Sequence, residues 1–469
     1  ASGTIATPPS VGFLRQNAEP PGDATIADLF GVADRLSILA RAERGEATAD
    51  DLADVDWTLE PRLEAALAGV GLDRPLDTPV GYLSGGQRTR ASLAALMFAG
   101  HDVLLLDEPT NHLDRSGRLQ VIEALRAWPG CVIVASHDRA LLGVMDAIVE
   151  LTHLGARAYG GNYGAYRAAK DAELASAANE LARAERAVDN AKARARQAAE
   201  RKARTDRQGK RLRVSGSQSK LLLDAAKERS EGSGGSAARL RNRQAEKATM
   251  ALESAREAIE VIEPLVMDIP SCGLSSGRDV LRVEGLEYGY RRDAPVLRDV
   301  SFAIRGPERI AVDGPNGSGK STLLACIEGR LQPWSGTIVL NVSHALIDQD
   351  LALLDRGETV RDTLARIDPD ATENQRRAVL ARFLFRGEDA ERRVGSLSGG
   401  QQMRLGLACT LGHSTPRQLL LLDEPSNHLD IESVETLEAA LKGFDGAIIV
   451  ASHDQDFLER IGVERRIVL

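Results

Sequence analysis

The sequence predicts an α/β protein in which two copies of one domain flank a helical hairpin. Three observations lead to this prediction. A long series of motifs occurs twice, an apolar strand-like run precedes a glycine-rich loop in the second copy, and two heptad stretches lie between the copies. We expect the first domain at residues 1–160, the hairpin at residues 161–265 and the second domain at residues 266–469.

Composition limits the classes of protein that this chain can belong to. Of its 469 residues, 43% are hydrophobic, and no apolar run approaches the roughly 20 residues that span a bilayer. The four cysteines stand apart rather than in ligand-like pairs, which favours a reducing, cytoplasmic setting. The net charge of −9 hides a basic segment, since residues 192–247 contain 17 Lys and Arg against six Asp and Glu. A polyanionic partner for that segment is therefore expected.

The two copies differ in length at two places. Residues 2–5 repeat as residues 335–338, so the counterpart of Lys320 would fall 15 residues before Ser2. We expect the chain to begin inside its first domain, which leaves one visible phosphate loop. The first copy also has 19 extra residues, including much of residues 33–58, and we expect a helical surface insertion there.

The glycine-rich loop of the second copy has the pattern of a phosphate-binding loop. It follows the apolar run Ile310-Ala311-Val312 and precedes a helical pattern, which is the context that such a loop needs. Its glycines let backbone N–H groups turn toward phosphates, Lys320 places a cation beside them, and the Ser321 hydroxyl can ligate Mg²⁺. The predicted ATP-binding residues here are Gly314, Pro315, Asn316, Gly317, Ser318, Gly319, Lys320, Ser321 and Thr322.

Two acids end an apolar strand pattern in each copy. In the second copy, Asp423 can hold Mg²⁺, Glu424 can orient or deprotonate the attacking water, and His453 is expected near the γ-phosphate. A core strand capped by solvated acids is the alternative, but the identical spacing to a following Ser-His-Asp in both copies favours catalysis. The equivalent residues of the first copy are Asp107, Glu108 and His137.

A Leu-Ser-Gly-Gly-Gln sequence begins a helical pattern in each copy, so each helix N-terminus can bind an anion. A turn with a helix cap would explain one such sequence, whereas its duplication favours nucleotide binding. Tyr290 is predicted to stack on adenine, with Tyr288 as the alternative. The predicted signature residues are Ser84, Gly85, Gly86 and Gln87, and Ser398, Gly399, Gly400 and Gln401.

Heptad patterns flank the basic segment between the copies. Residues 174–195 and 245–262 each place Leu, Ile, Val or Ala at spacings of three and four, which predicts an antiparallel hairpin coiled coil. Its tip is expected at about residues 202–239, where Gly and Ser interrupt the helices around Leu221-Leu222-Leu223.

Together these motifs resemble the ATP-binding cassette superfamily. The resemblance implies two P-loop NTPase cassette domains that meet head to tail, so that the phosphate loop of one and the signature of the other enclose each ATP. It also implies that Gln16 and Gln349 join Asp107, Asp423 and Ser321 as Mg²⁺ ligands, and that the loop at Asp114 completes the site of the second cassette.

The repeated Asn-His-Leu-Asp at residues 111 and 427, and Gly161-Asn162-Tyr163 before a charged hairpin, resemble the ABC-F family. The resemblance implies a monomeric ATPase that binds the ribosome when its ATP-bound cassettes are closed. Its hairpin would approach rRNA, the P-site tRNA and the peptidyl-transferase region from the tRNA exit side, with the tip at residues 218–229. The expected RNA-binding residues are Arg194, Arg196, Arg201, Lys202, Arg204, Arg207, Lys210, Arg211, Arg213 and Lys220.

Four alternatives stay open at this point. Within the family, the sizeable tip favours resistance to ribosome-targeting antibiotics over a housekeeping translation factor. An exporter ATPase subunit would also pair two cassettes, but it needs no basic hairpin. A DNA-repair ATPase would show zinc-binding cysteines or longer coils. The hairpin is also explained by a merely solvated charged coiled coil.

Overall fold

The computed structural model describes most of the chain in two compact units. One unit comprises residues 1–144 with 265–469, and the other comprises residues 145–264. Both cassettes therefore belong to one unit, and the three-domain division stays a prediction. The described residues are 10–15, 23–53, 55–111, 113–152, 155–214, 243, 246–247, 249–254, 271–348, 351–427 and 429–469.

The first cassette combines a small parallel sheet with a helical region. Its strands are β1 (Val11–Leu14), β2 (Val103–Asp107) and β3 (Cys131–Ala135), and they lie in that order in the sheet. The insertion predicted at residues 33–58 is helical, since it contains α2 and α3. The helices are α1 (Ile26–Leu29), α2 (Ala33–Glu43), α3 (Ala49–Ala53), α4 (Leu59–Gly69), α5 (Gly85–Phe98), α6 (Arg115–Ala127) and α7 (Arg139–Leu142).

The second unit begins with an antiparallel ribbon of β4 (Ala147–Thr152) and β5 (Gly155–Gly160), followed by the 52-residue α8 (Tyr163–Val214). Ala184 and Val188, two of the predicted heptad positions, are buried within it. Helix α8 continues past Lys202, where the tip was expected to begin. Lys, Arg and Gln favour helix, so the helical pattern persists up to Ser215-Gly216. The rest of the predicted tip lies outside the described residues.

The second cassette contains a five-stranded parallel sheet and a three-stranded antiparallel sheet, ordered β10-β11-β12-β8-β13 and β7-β6-β9. Its strands are β6 (Asp279–Tyr288), β7 (Leu297–Arg305), β8 (Arg309–Asp313), β9 (Ser335–Leu340), β10 (His344–Ile347), β11 (Leu419–Asp423), β12 (Ala447–Ala451) and β13 (Arg465–Val468). Its helices are α9 (Lys320–Glu328), α10 (Val360–Ile367), α11 (Glu373–Arg382), α12 (Gly399–Leu411), α13 (Ile431–Gly443) and α14 (Gln455–Arg460).

The parallel sheet brings the predicted site residues to one edge. Residues 419–422 of β11 are fully buried, and an uninterrupted leucine run suits a strand that is covered on both faces. β12 pairs with both β11 and β8, so the loops after β8, β11 and β12 leave the sheet on the same side. Ligands bind at the carboxyl ends of parallel strands. The phosphate loop, the two acids and His453 therefore converge.

Candidate nucleotide-binding site

The phosphate loop has the backbone geometry that its glycines predict. Gly314 and Gly319 have φ values of 151° and 104°, where a side chain is strained. A Cβ atom at Gly314 would lie 2.6 Å from Ser318 Oγ, and one at Gly319 would lie 2.8 Å from the Leu297 side chain. The buried Ser318 hydroxyl has no hydrogen-bond partner among the described residues. The cradle and this unsatisfied hydroxyl fit a bound phosphate.

Lys320, at the start of α9, lies folded back over this loop. Its Nζ donates hydrogen bonds to the carbonyl oxygens of Gly314 at 2.8 Å and Pro315 at 3.2 Å. Nζ is also 3.1 Å from His453 Nε2. Since an ammonium group has donors only, the imidazole accepts at Nε2. A bound phosphate would replace these acceptors with charged oxygens.

The two acids after β11 differ in backbone conformation. Asp423 ends the strand, whereas Glu424 has a φ of 45°, which is rare for a residue with a side chain. The Glu424 N–H donates to the Ala451 carbonyl at 2.8 Å, and Glu108 repeats the arrangement with a φ of 46° and an N–H bond to Ala135. Such strain persists where the surroundings enforce it, and it is concentrated at functional sites.

Burial tunes the ionisable groups of this site. Burial raises the pKa of Glu424 to about 7, and the positive charge of Lys320 opposes the rise. Burial lowers the pKa of His453 to about 4, and the charges of Lys320 and Arg118 act in the same direction. His453 Nε2 lies 3.5 Å from Glu424 Oε1. At neutral pH the site therefore contains a neutral imidazole beside a carboxyl group that titrates near neutrality.

The predicted Mg²⁺ ligands are only partly within the described residues. Ser321 lies in the first turn of α9, and Asp423 is 9% exposed at the end of β11, whereas Gln349 lies outside the described residues. Among the described residues, no cluster of three His, Cys, Asp or Glu side chains could hold a metal alone. Mg²⁺ is commonly bound through one or two protein ligands together with substrate phosphates, and Ser321 and Asp423 stay the predicted ligands.

The signature of the first cassette faces the phosphate loop of the second. Asn316 lines a cavity of about 1030 Å³ together with Ser84, Gly85 and Gly86. Burial raises the pKa of Asp114, but hydrogen bonds from the Gly117 N–H, the Ser116 hydroxyl and the Asn316 backbone N–H of the second cassette together lower it. Residues of both cassettes thus meet at one site, as the superfamily resemblance implied.

Each signature serine caps the helix that follows it. Ser84 Oγ accepts the Gln87 N–H at 3.3 Å, and the Gln87 side chain accepts the Ser84 N–H at 3.0 Å. Ser398 and Gln401 form the same capping box at the start of α12, where Gly399 and Gly400 begin the helix. The backbone N–H groups of both helices are therefore presented at ordered N-termini.

A further cavity is lined by the predicted catalytic residues of both cassettes. Glu108 and Glu424 line one cavity of about 520 Å³, together with His137 and His453. Glu108 Oε2 accepts a hydrogen bond from Ser136 Oγ at 3.2 Å, and burial raises the Glu108 pKa while His137 opposes the rise. Asp107 ends β2, and Gln16 lies outside the described residues.

Tyr290 is placed beside the phosphate loop. Its ring is 70% exposed, and its hydroxyl lies 3.3 Å from Thr322 Oγ1. Tyr288 is partly buried, since it packs edge-on against Tyr290 and lies 6.0 Å from the Trp334 ring. Exposure favours Tyr290 for stacking on adenine, and this role stays a prediction.

The predicted RNA-binding residues fall in three groups. Five arginines of α8 have exposed side chains, as contacts with phosphates require. Four others lie in the helix, but their side chains are outside the described residues, as is Lys220 entirely. The exposed five are Arg194, Arg196, Arg201, Arg204 and Arg207, and the other four are Lys202, Lys210, Arg211 and Arg213.

Two arginines between the cassettes were missed from the sequence. Arg139 of α7 forms a buried ion pair with Glu438 of α13, across 299 residues of chain. Arg118 of α6 lines the cavity that Glu108 and Glu424, the two predicted catalytic glutamates, also line. An alignment of the two copies could have indicated both arginines, because each is charged in the first copy only. Arg118 aligns with Val434, and Arg139 aligns with Gln455.

Comparisons with known proteins agree with the cassette geometry. A family profile described as "ABC transporter" matches residues 6–111 and 297–427. The translational throttle protein EttA of Mycobacterium tuberculosis is 34% identical over 485 residues, which cover 97% of this chain and 79% of that protein. The tylosin resistance protein TlrC of Streptomyces fradiae is 31% identical over 493 residues, covering 97% and 85%. The chain belongs to the ABC-F family.

The match to other ABC-F relatives covers a smaller part of their length. The putative ATP-binding protein YdiF of Bacillus subtilis is 34% identical over 416 residues, which cover 86% of this chain and 58% of YdiF. Two solved structures share the fold. RNase-L Inhibitor and the archaeal recycling factor aABCE1 in complex with aP1 have TM-scores of 0.56 and 0.55, each at 19% identity over 95% of this chain and 68% of theirs.

Proposed function

We propose that this ABC-F protein binds ATP with Mg²⁺ between the phosphate loop of the second cassette and the signature of the first, and hydrolyses it. One observation supports this most directly. Asn316 of the phosphate loop is hydrogen-bonded to Asp114 of the first cassette and lines one cavity with Ser84 and Gly86. A nucleotide on that loop would contact both cassettes.

In the proposed reaction, Lys320 leaves its carbonyl acceptors and His453 for the β- and γ-phosphates. Glu424 orients the attacking water and takes up its proton, while neutral His453 faces the γ-phosphate. Ser321 and Asp423 would hold Mg²⁺, which neutralises charge that develops on the phosphates. Tyr290 stacks on the adenine ring. Ser84 and the N–H groups at the start of α5 contact the phosphates from the other cassette.

ATP acts as a latch between cassettes in this proposal. A nucleotide that contacts both cassettes favours the closed form, and its cleavage removes that differential affinity. The closed form binds the ribosome in the cytoplasm, and opening releases it. The arginines of α8 contact rRNA and P-site tRNA phosphates, so the hairpin acts near the tRNA exit site and the peptidyl-transferase region.

The biological outcome has two candidates. Resistance to ribosome-targeting antibiotics is supported by the relative named for tylosin resistance and by the sizeable predicted tip. A translation factor is supported by the similarity to EttA, which is named for an energy-dependent translational throttle. Drug protection in cell-free translation separates them, since only the first candidate predicts restored synthesis in the presence of a ribosome-targeting drug. An exporter ATPase subunit is disfavoured because it needs no basic hairpin between its cassettes. No helix among the described residues is long and apolar enough to cross a bilayer.

The ATPase proposal is tested by Glu108→Gln with Glu424→Gln in the full-length protein. Removal of both carboxylates should lower the ATP turnover by about 100-fold or more while ATP stays bound, because a positioned base typically contributes that much. Retained nucleotide and turnover are measured on the same preparation. Lys320→Ala is the control, since it should lose ATP binding. Rapid turnover by the double variant would contradict the roles assigned to the glutamates.

A further inference from the structure

Arg118 belongs to the first cassette but lies among catalytic residues of the second. Its side chain, 19% exposed, lines the cavity of about 520 Å³ that Glu424 and His453 also line. Asn316 of the phosphate loop lines the same cavity. An arginine of the first cassette thus lines the same cavity as the acid and the imidazole of the second cassette.

The first cassette anchors this arginine. Arg118 Nε lies 3.2 Å from Asp138 Oδ2, in an ion pair within that cassette. Asp138 is itself fixed, because its other carboxylate oxygen accepts the backbone N–H groups of Ala140 at 2.9 Å and Leu141 at 3.2 Å at the start of α7. The position of the guanidinium group therefore follows the first cassette as a rigid part of it.

The charge of Arg118 acts on the second cassette. After burial, Lys320 and Arg118 are the two largest influences that lower the pKa of His453, whereas Asp114 and Asp313 act in the opposite direction. Lys320 approaches from the phosphate loop of the same cassette. Arg118 approaches from the other one. The electrostatic surroundings of His453 and Glu424 thus depend on whether the first cassette is in place.

The other half of the molecule lacks this arginine. The copies align with a constant offset of 316 from Asp114 to Asp138, so the counterpart of Arg118 is Val434. Val434 is 6% exposed and lines the same cavity as Glu108. An apolar side chain offers no charge to Glu108 and His137. The two catalytic glutamates consequently have unequal surroundings.

We propose that Arg118 is a positioning residue for ATP hydrolysis at the second cassette, supplied in trans by the first cassette, and that the Glu108 site has no counterpart. Arg118 attracts the Glu424 carboxylate and disfavours a charged His453 only while the cassettes are closed. Hydrolysis at the second cassette is thereby coupled to closure, and it is faster there than at the Glu108 site. This inference rests on the proposed ATPase function.

The test measures single-turnover ATP hydrolysis in full-length protein that carries Glu108→Gln. This substitution removes the predicted base of the other site, so the measured hydrolysis comes from the Glu424 site. Arg118→Val copies the residue of the other copy and should lower the rate constant for hydrolysis by about tenfold or more. The apparent ATP affinity and the closed fraction, followed by fluorescence transfer between the cassettes, should change less than about twofold. Arg118→Lys should restore most of the rate, because it retains the charge.

Arg126→Val is the matched control, since Arg126 is exposed on the same helix and lies away from the loop at Asp114. Its rate should equal that of the parent. An unchanged rate in Arg118→Val, or a fall in closure that accounts for the whole loss, would overturn the positioning role. A thermal unfolding midpoint equal to the parent's establishes that Arg118→Val is folded, and Arg118→Lys provides the comparison if it is not. A parent that does not hydrolyse ATP would overturn the ATPase proposal itself, which is a different result.

Discussion

At the scale of single residues, the proximity of the predicted site residues could be foreseen from the sequence, but their conformation could not. The spacing of Asp423 and Glu424 from His453 was enough to place them together, because strand ends of a parallel sheet share an edge. The positive φ of Glu424, and Lys320 lying on its own loop, depend on neighbours distant in sequence. Spacing within one strand contains no information about those neighbours.

The lowered pKa of His453 predicts a pH-dependent stability. A histidine with a pKa of about 4 when folded and about 6.5 when unfolded binds more protons in the unfolded state between these values. The free energy of unfolding should therefore fall as the pH is lowered from 7 to 5, with a contribution of about 2 kcal/mol from this residue.

His453→Gln removes the titrating group, so its stability should depend less on pH over the same interval. The measurement is urea unfolding of both proteins at pH 7 and pH 5. The change in the free energy of unfolding between pH 7 and pH 5 is compared between the two proteins, and the difference between these changes isolates His453 from the other titrating groups. An equal pH dependence in both proteins would show that His453 is not held neutral by its surroundings.

At the scale of helices and strands, both signature helices begin with the same capping box, although their serines have different surroundings. Ser84 shares a cavity with Asn316 of the phosphate loop, and Ser398 is not among the residues that line that cavity. Alanine at either serine removes a cap and should lower stability by about 1 kcal/mol. The two variants are therefore matched in stability.

Their effects on nucleotide binding should differ. In this chain, Ser84→Ala should weaken ATP binding by about tenfold, because a hydrogen bond to a charged group is lost. Ser398→Ala should bind ATP at the Lys320 loop like the parent, because Ser398 does not line the cavity at Asn316. Calorimetric titration with ATP and Mg²⁺ measures both. Equal affinities in the two variants would contradict the head-to-tail arrangement.

Some helices and strands could be predicted from local sequence patterns, whereas others could not. The leucine run of β11 and the Ser-Gly-Gly helix starts were predictable, since burial on both faces and capping leave local signatures. The start of the hairpin tip was placed too early, because polar composition alone does not end a helix that contains good helix formers. Arg118 and Arg139 were missed because their partners lie in the other cassette.

At the scale of the whole molecule, two features matter most: the uneven distribution of charge along the chain and the duplication of the cassette. A net charge of −9 coexists with a strongly basic segment, so that an acidic protein presents exposed arginines along α8. Two cassettes in one compact unit place a signature opposite a phosphate loop. The family was predictable from these features, whereas the choice between drug resistance and translational control depends on contacts outside this chain.

The most direct test of the central claim is co-sedimentation of the full-length Glu108→Gln/Glu424→Gln protein with 70S ribosomes in sucrose gradients. ATP should bring the protein into the ribosome fractions, because the closed form persists when hydrolysis is blocked. A variant with Arg204 and Arg207 replaced by Gln should bind more weakly and with a shallower salt dependence, whereas replacement of the exposed Arg298 and Arg382 should have little effect. Sedimentation that is independent of ATP, or absent from ribosomes altogether, would contradict the account.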